Sequence, residues 1–124
     1  MQNNPVGWFE IYVQEMPRAK AFYESVFEVS LERLNSSNEL EMWAFPMFLN
    51  NYGCAGALAK MEGFQPSGNS ILVYFSCSDC AIESQRVITA GGSIQKEKFS
   101  IGQYGFIAIA VDTEGNMFGL HSMQ

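Results

Sequence analysis

Trp8-Phe9-Glu10-Ile11-Tyr12-Val13 alternates with period two, setting Phe9, Ile11 and Val13 on one face and Trp8, Glu10 and Tyr12 on the other. This predicts a strand with one wholly apolar face and one face of side chains with polar handles. Pro17 suits the first turn of a helix, where its missing N–H costs nothing. Ala19, Phe22, Tyr23, Val26 and Phe27 fall at i, i+3, i+4, i+7 and i+8, an oily stripe expected to pack on the apolar strand face. Val29 to Leu34 reads as a second strand, followed by the turn cluster Asn35-Ser36-Ser37-Asn38. Glu39 to Phe45 reads as a third, with Leu40, Met42 and Ala44 alternating against Glu41, Trp43 and Phe45. Pro46 ends it. After the loop Asn50-Asn51-Tyr52-Gly53, the small residues from Cys54 to Lys60 make a fourth strand. Gly63 to Asn69, with Pro66 and Gly68, has linker composition and lies at the midpoint.

The order then recurs. Ser70 to Cys77 is strand-like. Asp79 is placed to cap a helix from about Cys80 to Ala90, which Gly91-Gly92 ends. Ser93 to Phe99, Gly105 to Asp112 and Met117 to Ser122 read as strands, the last two joined by the tight turn Thr113-Glu114-Gly115-Asn116. Shifting the first half by 64 positions puts Trp8 on Leu72 and Phe27 on Gly91. Identity across the shift is weak, but the element order repeats. The predicted architecture is α+β: two tandem βαβββ modules, about 6–62 and 70–124, joined by a linker at about 63–69, in one domain. Each half alone is too small to bury its sheet well, so the halves are expected to pack together or across a homodimer.

Composition narrows the functional classes. Of 124 residues, 48% are hydrophobic, enough for a core. The net charge of −6, without a basic cluster, argues against nucleic acid and anionic membranes as partners. The longest apolar run, Phe106 to Val111, is far short of a spanning helix. The first ten residues show neither a basic n-region nor an apolar h-region, and the cysteine number is odd, so reduced cytoplasmic thiols are expected. Cys77-Ser78-Asp79-Cys80 is a lone CxxC. A zinc site would need two more soft ligands, and only Cys54 and the single histidine, His121, remain. The structural reading of the pair, as small residues at a strand–helix junction, outweighs a redox one.

If the helices cover one sheet face, alternation points other residues to the opposite face: Trp8, Glu10 and Tyr12, then Leu72, Tyr74 and Ser76, then Met117, Gly119 and His121. Aromatic surface with an acid, a hydroxyl and an imidazole is the usual make-up of a small-molecule pocket. Glu10 is a candidate general base, its pKa raised by apolar surroundings; the alternative is an edge or rim acid in solvent, or one paired with Lys60 or an arginine. His121 is a candidate acid–base group, or else a strand residue bonded to backbone. Trp8, Tyr12, Trp43 and Tyr74 offer rings for a planar ligand, or simply fill core or interface. Lys60 reads as an anchor for an anionic group or as solvated, and Lys96 and Lys98 as a solvent face. No phosphate-loop, dinucleotide or serine-elbow motif is present.

Phe9 to Val13, Arg18-Ala19-Lys20-Ala21-Phe22-Tyr23 and Val26-Phe27 resemble the opening of a vicinal oxygen chelate domain, the superfamily of glyoxalase I, extradiol dioxygenases and bleomycin-resistance proteins. Ala90-Gly91-Gly92, Asp112-Thr113-Glu114-Gly115-Asn116 and Gly119-Leu120 resemble features of its second half. The resemblance covers essentially the whole chain and implies paired βαβββ modules forming a cupped mixed sheet, commonly homodimeric. Metal-dependent members carry ligands on the first, fourth, fifth and eighth strands. Carried over, these positions fall on Trp8, within Cys54 to Lys60, at or near Leu72 and on Gly119, which predicts no metal site and no cofactor. The expected function is binding of a small, planar or aromatic molecule in the cup without metal, through Trp8, Tyr12, Leu72, Tyr74 and Gly119. The alternatives are a metal-independent lyase or isomerase using Glu10 or His121 for proton transfer, a metal-dependent glyoxalase with relocated ligands, and an interaction module without a ligand.

Overall fold

The structure is a computed structural model and describes residues 4–34, 39–48, 50–63 and 70–124. It divides into two compact units, Trp8–Ile71 and Met1–Gly7 with Leu72–Gln124.

The first unit holds most of β1 (Val6–Tyr12), with α1 (Met16–Phe27), β2 (Glu32–Arg33), β3 (Leu40–Ala44) and β4 (Ala55–Met61). Its strand order is β2-β3-β4-β1. β1 runs parallel to β4, and the other neighbours are antiparallel. Met16, Leu31 and Leu58 form the buried core, and Ile11, Val13, Ala19, Tyr23, Trp43 and Phe45 pack against it. The apolar face of β1 therefore meets α1, as the alternation requires. The helical stripe is narrower than its spacing suggests. Phe22, Val26 and Phe27 are more than half exposed, whereas Met16, one turn ahead of Ala19, is buried. At about 100° per residue the buried positions 16, 19 and 23 fall within about 60° of one another, Phe22 and Val26 lie about 90° and about 50° from their centre, and Phe27 shares the line but is the last residue of the helix. The second strand is also shorter than expected, Glu32–Arg33 alone, and Leu31 just before it is buried in the core. The turn cluster at 35–38 and nearly all of the expected linker, 64–69, lie outside the described residues.

The second unit contains β5 (Ile71–Ser76), α2 (Cys80–Thr89), β6 (Ser93–Ser100), a short 3-10 turn at Gly102–Tyr104, β7 (Phe106–Val111) and β8 (Met117–Ser122). Its order is β5-β8-β7-β6, with β5 parallel to β8. Asp79 caps α2 by accepting the Ala81 N–H at 3.0 Å. Gly91, at φ 104°, ends the helix in a conformation that favours glycine. Cys80, Ala108 and Leu120 are the core, with Phe75, Cys77, Val87, Phe106 and Phe118 around it. The element order strand, helix, three strands thus occurs in both halves, and the fold class is α+β with mixed strand pairing. Among the described residues no helix is long and apolar enough to cross a membrane.

Candidate functional site

Strand register settles which side chains share a face. In the first unit Trp8, Glu10 and Tyr12 lie beside Ala55, Ala57 and Ala59, and Ala57 and Ala59 lie beside Ala44 and Met42. Since Ile11 and Leu58 belong to the core under α1, this set occupies the face turned away from the helix. Ala57 and Ala59 are fully sealed from solvent and Glu10 is only 9% exposed. A carboxylate among buried methyl groups needs donors, because burial removes its water. Two come from its own strand. The Trp8 Nε1–H donates to Glu10 Oε2 at 3.1 Å, and the Tyr12 O–H donates to Glu10 Oε1 at 2.8 Å. Residues i−2 and i+2 share the face of residue i, so the alternation that exposes Glu10 there also supplies its partners.

This cluster alters Tyr12 as well. Burial, and then the negative charge of Glu10 that its hydroxyl faces, hold the phenol well above its ordinary pKa of 10.0. The shift favours the protonated, donating form of Tyr12. The reading of Glu10 as a rim acid paired with Lys60 is overturned. Lys60 is exposed and lies in register with Glu41 on the α1 side. Trp43 is on that side too. Its Nε1–H donates to Glu41 Oε2 at 2.9 Å, and the Lys20 ammonium stands 4.7 Å above its ring. Trp43 therefore does not join Trp8 and Tyr12 as a stacking surface.

In the second unit Tyr74 pairs in register with Gly119 and Ser76 with His121. Phe75, Phe118 and Leu120 face α2, so Tyr74, Gly119 and His121 face away from it. Leu72 and Tyr74 are buried. The Tyr74 ring lies across Gly119 so closely that a Cβ there would collide with ring carbons. His121 Nε2 is 2.6 Å from the Tyr104 carbonyl oxygen. A carbonyl only accepts, so this contact puts a proton on Nε2. The structure thus brings Trp8, Glu10 and Tyr12 together in one unit, and Tyr74 and Gly119 together in the other. Glu10 belongs to the first unit and His121 to the second.

The CxxC cysteines sit at the strand–helix junction. Cys80 is wholly buried in the core. The Cys77 thiol is pushed up to about 11 by burial, then by the charge of Glu83, which makes it a poor nucleophile at neutral pH. Among the described residues no group of three or more His, Cys, Asp or Glu side chains is gathered to hold a metal ion. Sequence reasoning missed three features: the pair of aromatic donors on Glu10, the ring over Gly119, and the Tyr104 carbonyl. Only the first had a local signal, aromatic N–H and O–H groups at i±2 from an acid.

Comparison with known proteins gives one family and one fold. The profile of the Glyoxalase/Bleomycin resistance protein/Dioxygenase superfamily matches residues 6–120. No curated protein matches the sequence. Among solved structures, a hypothetical protein from Bacillus halodurans is similar with a TM-score of 0.76 at 12% identity, over 99% of this chain and 96% of that one. Methylmalonyl-CoA epimerase from Mycobacterium tuberculosis is similar with a TM-score of 0.71 at 11% identity, over 97% and 88% of the two chains. A variant methylmalonyl-CoA epimerase from Streptomyces coelicolor, in complex with 2-nitronate-propionyl-CoA, gives 0.68 at 13% identity, over 95% and 96%. At such identities these likenesses establish the fold alone.

Proposed function

Because the chain belongs to the Glyoxalase/Bleomycin resistance protein/Dioxygenase superfamily, we propose that it is a member of that superfamily that binds a small organic molecule without a metal, with Trp8, Glu10 and Tyr12 as its recognition surface. The observation that carries this reading is the clamped carboxylate. Glu10, 9% exposed, is held by an indole N–H and a phenol O–H on the sheet face that α1 leaves uncovered. The half-buried Trp8 and Tyr12 rings supply apolar surface for a planar body. Glu10 supplies a fixed negative charge against a polar hydrogen or a cationic centre of the ligand.

Metal chemistry fits these residues poorly. At the positions where the superfamily resemblance would place ligands, Trp8 offers an N–H donor with no lone pair, and Leu72 and Gly119 offer no donor atom. β4 contributes no carboxylate. The space above Gly119 is taken by the Tyr74 ring. No reaction step is therefore assigned to a metal.

A thermal-shift screen of the metal-free protein against planar aromatics and small carbonyl compounds tests the reading, with elemental analysis of protein purified without added metal. The expected result is a ligand-dependent rise in Tm that Glu10→Gln reduces and that chelator leaves unchanged. Stoichiometric nickel, zinc or iron, or turnover abolished by chelator, would overturn it. Turnover that survives chelation but is lost in Glu10→Gln or His121→Ala would instead establish a metal-independent lyase or isomerase.

A further inference from the structure

On the opposite side of the first unit, α1 and β3 enclose a groove of about 270 Å³, lined by Met16, Pro17, Lys20, Glu24, Glu41 and Trp43 among others. Its floor is apolar and aromatic, and its walls carry two carboxylates against one ammonium. Both carboxylates are held in place by bonds that do not involve a cation. Glu24 Oε2 accepts the backbone N–H of Leu31 at 2.8 Å, and Glu41 Oε2 accepts the Trp43 indole N–H at 2.9 Å. The Lys20 ammonium lies 4.7 Å from the centre of the Trp43 ring and 3.1 Å from Glu24 Oε2. It makes the two interactions that an organic cation would make: the face of an aromatic ring and a fixed carboxylate.

We propose that this groove is a second binding site, distinct from the Glu10 face, for a small organic ammonium ion, with Lys20 as the built-in cation that holds the place when no ligand is bound. Lys20 sits on a flexible four-carbon stem on the helix surface, so it can swing out at small cost. Trp43 and the two carboxylates stay behind as an aromatic and anionic cage. The groove has room for a head group of a few heavy atoms. Nothing in it complements an anion once Lys20 is paired with Glu24.

Two-dimensional NMR of the full chain, titrated with choline chloride, tests the site. The controls are the neutral isostere 3,3-dimethyl-1-butanol and sodium chloride at matched ionic strength. The expected result is saturable movement of the Trp43 indole N–H with choline alone. Lys20→Met, which keeps the stem and removes the charge, is expected to tighten binding about two- to fivefold, the span of one exposed cation–π contact. Glu41→Gln is expected to weaken it by a similar factor. Equal movement with the neutral alcohol, no saturation, or unchanged affinity in Lys20→Met would overturn the proposal. Movement of the Trp8 indole instead would assign the cation to the Glu10 face. A fold that changes in either variant shows as loss of dispersion across the whole spectrum, and wild-type selectivity for choline over its isostere then decides the matter.

Discussion

Glu10 shows how one side chain can be legible for its face and open for its surroundings. Alternation along β1 puts it opposite Phe9 and Ile11, and the structure agrees. Its two aromatic donors come from its own strand, but its burial depends on Ala57 and Ala59 of β4 lying beside it, which no local pattern announces. Removing the acceptor takes a hydrogen-bond partner from both donors. Glu10→Ala is expected to cost about 1–3 kcal/mol in denaturant unfolding, whereas Glu10→Gln, which retains a carbonyl acceptor, should cost less. A cost for Glu10→Ala near zero would show that the clamp does not hold the strand face. Gly119 makes a complementary point. A glycine in a strand reads as a turn or a weak spot, yet here it is the space that the Tyr74 ring occupies. Gly119→Ala is expected to destabilise by about 1–3 kcal/mol through overpacking. A double-mutant cycle with Tyr74→Ala should show coupling of about 1 kcal/mol or more; additivity would mean that the two do not meet.

Among the elements, α1 was legible in its extent but only partly in its orientation. Pro17 in the first turn marked its start. The oily residues, however, formed a stripe wider than the face that the sheet covers. Since hydrophobic periodicity fixes a direction only to within the width of the stripe, the choice between a line through Met16, Ala19 and Tyr23 and one through Phe22 and Val26 was made by Leu58 and Leu31 beneath. The energetic consequence is measurable. Leu58→Ala, at a fully buried position, is expected to cost about 2–5 kcal/mol, while Phe22→Ser, at a residue 59% exposed, should lie within about 0.5 kcal/mol of the wild type. Equal costs would mean that the helix presents its other face to the core. α2 was read nearly whole, because its signals are local: Asp79 caps it and Gly91 ends it.

For the molecule as a whole, three carboxylates tie its stability to pH. Asp112 is held below its ordinary value of 3.8 chiefly by the Asn116 N–H, and Asp79 below 3.8 chiefly by Lys98. Glu24 is held below 4.5 chiefly by the Leu31 N–H. The folded state binds protons less readily at all three, so the stability they contribute is complete above those ordinary values and is lost as pH falls through the lowered ones. Thermal melts should therefore show Tm level above about pH 5 and falling below pH 4, with a shallower fall in Asp112→Asn; a Tm that rises on acidification would contradict the assignment. Sequence by itself determined what depends on neighbours in the chain: the βαβββ order, the two faces of β1, β3, β5 and β8, and the cap and stop of α2. Tertiary structure alone decided which part of the α1 stripe is buried, that Glu10 is buried rather than solvated, that Trp43 lies with Lys20 on the other side, and that Gly119 is empty because Tyr74 fills its place. The division follows from the physics. Periodicity and capping act over a few residues, whereas burial and hydrogen-bond partners are set by whatever the fold lays alongside.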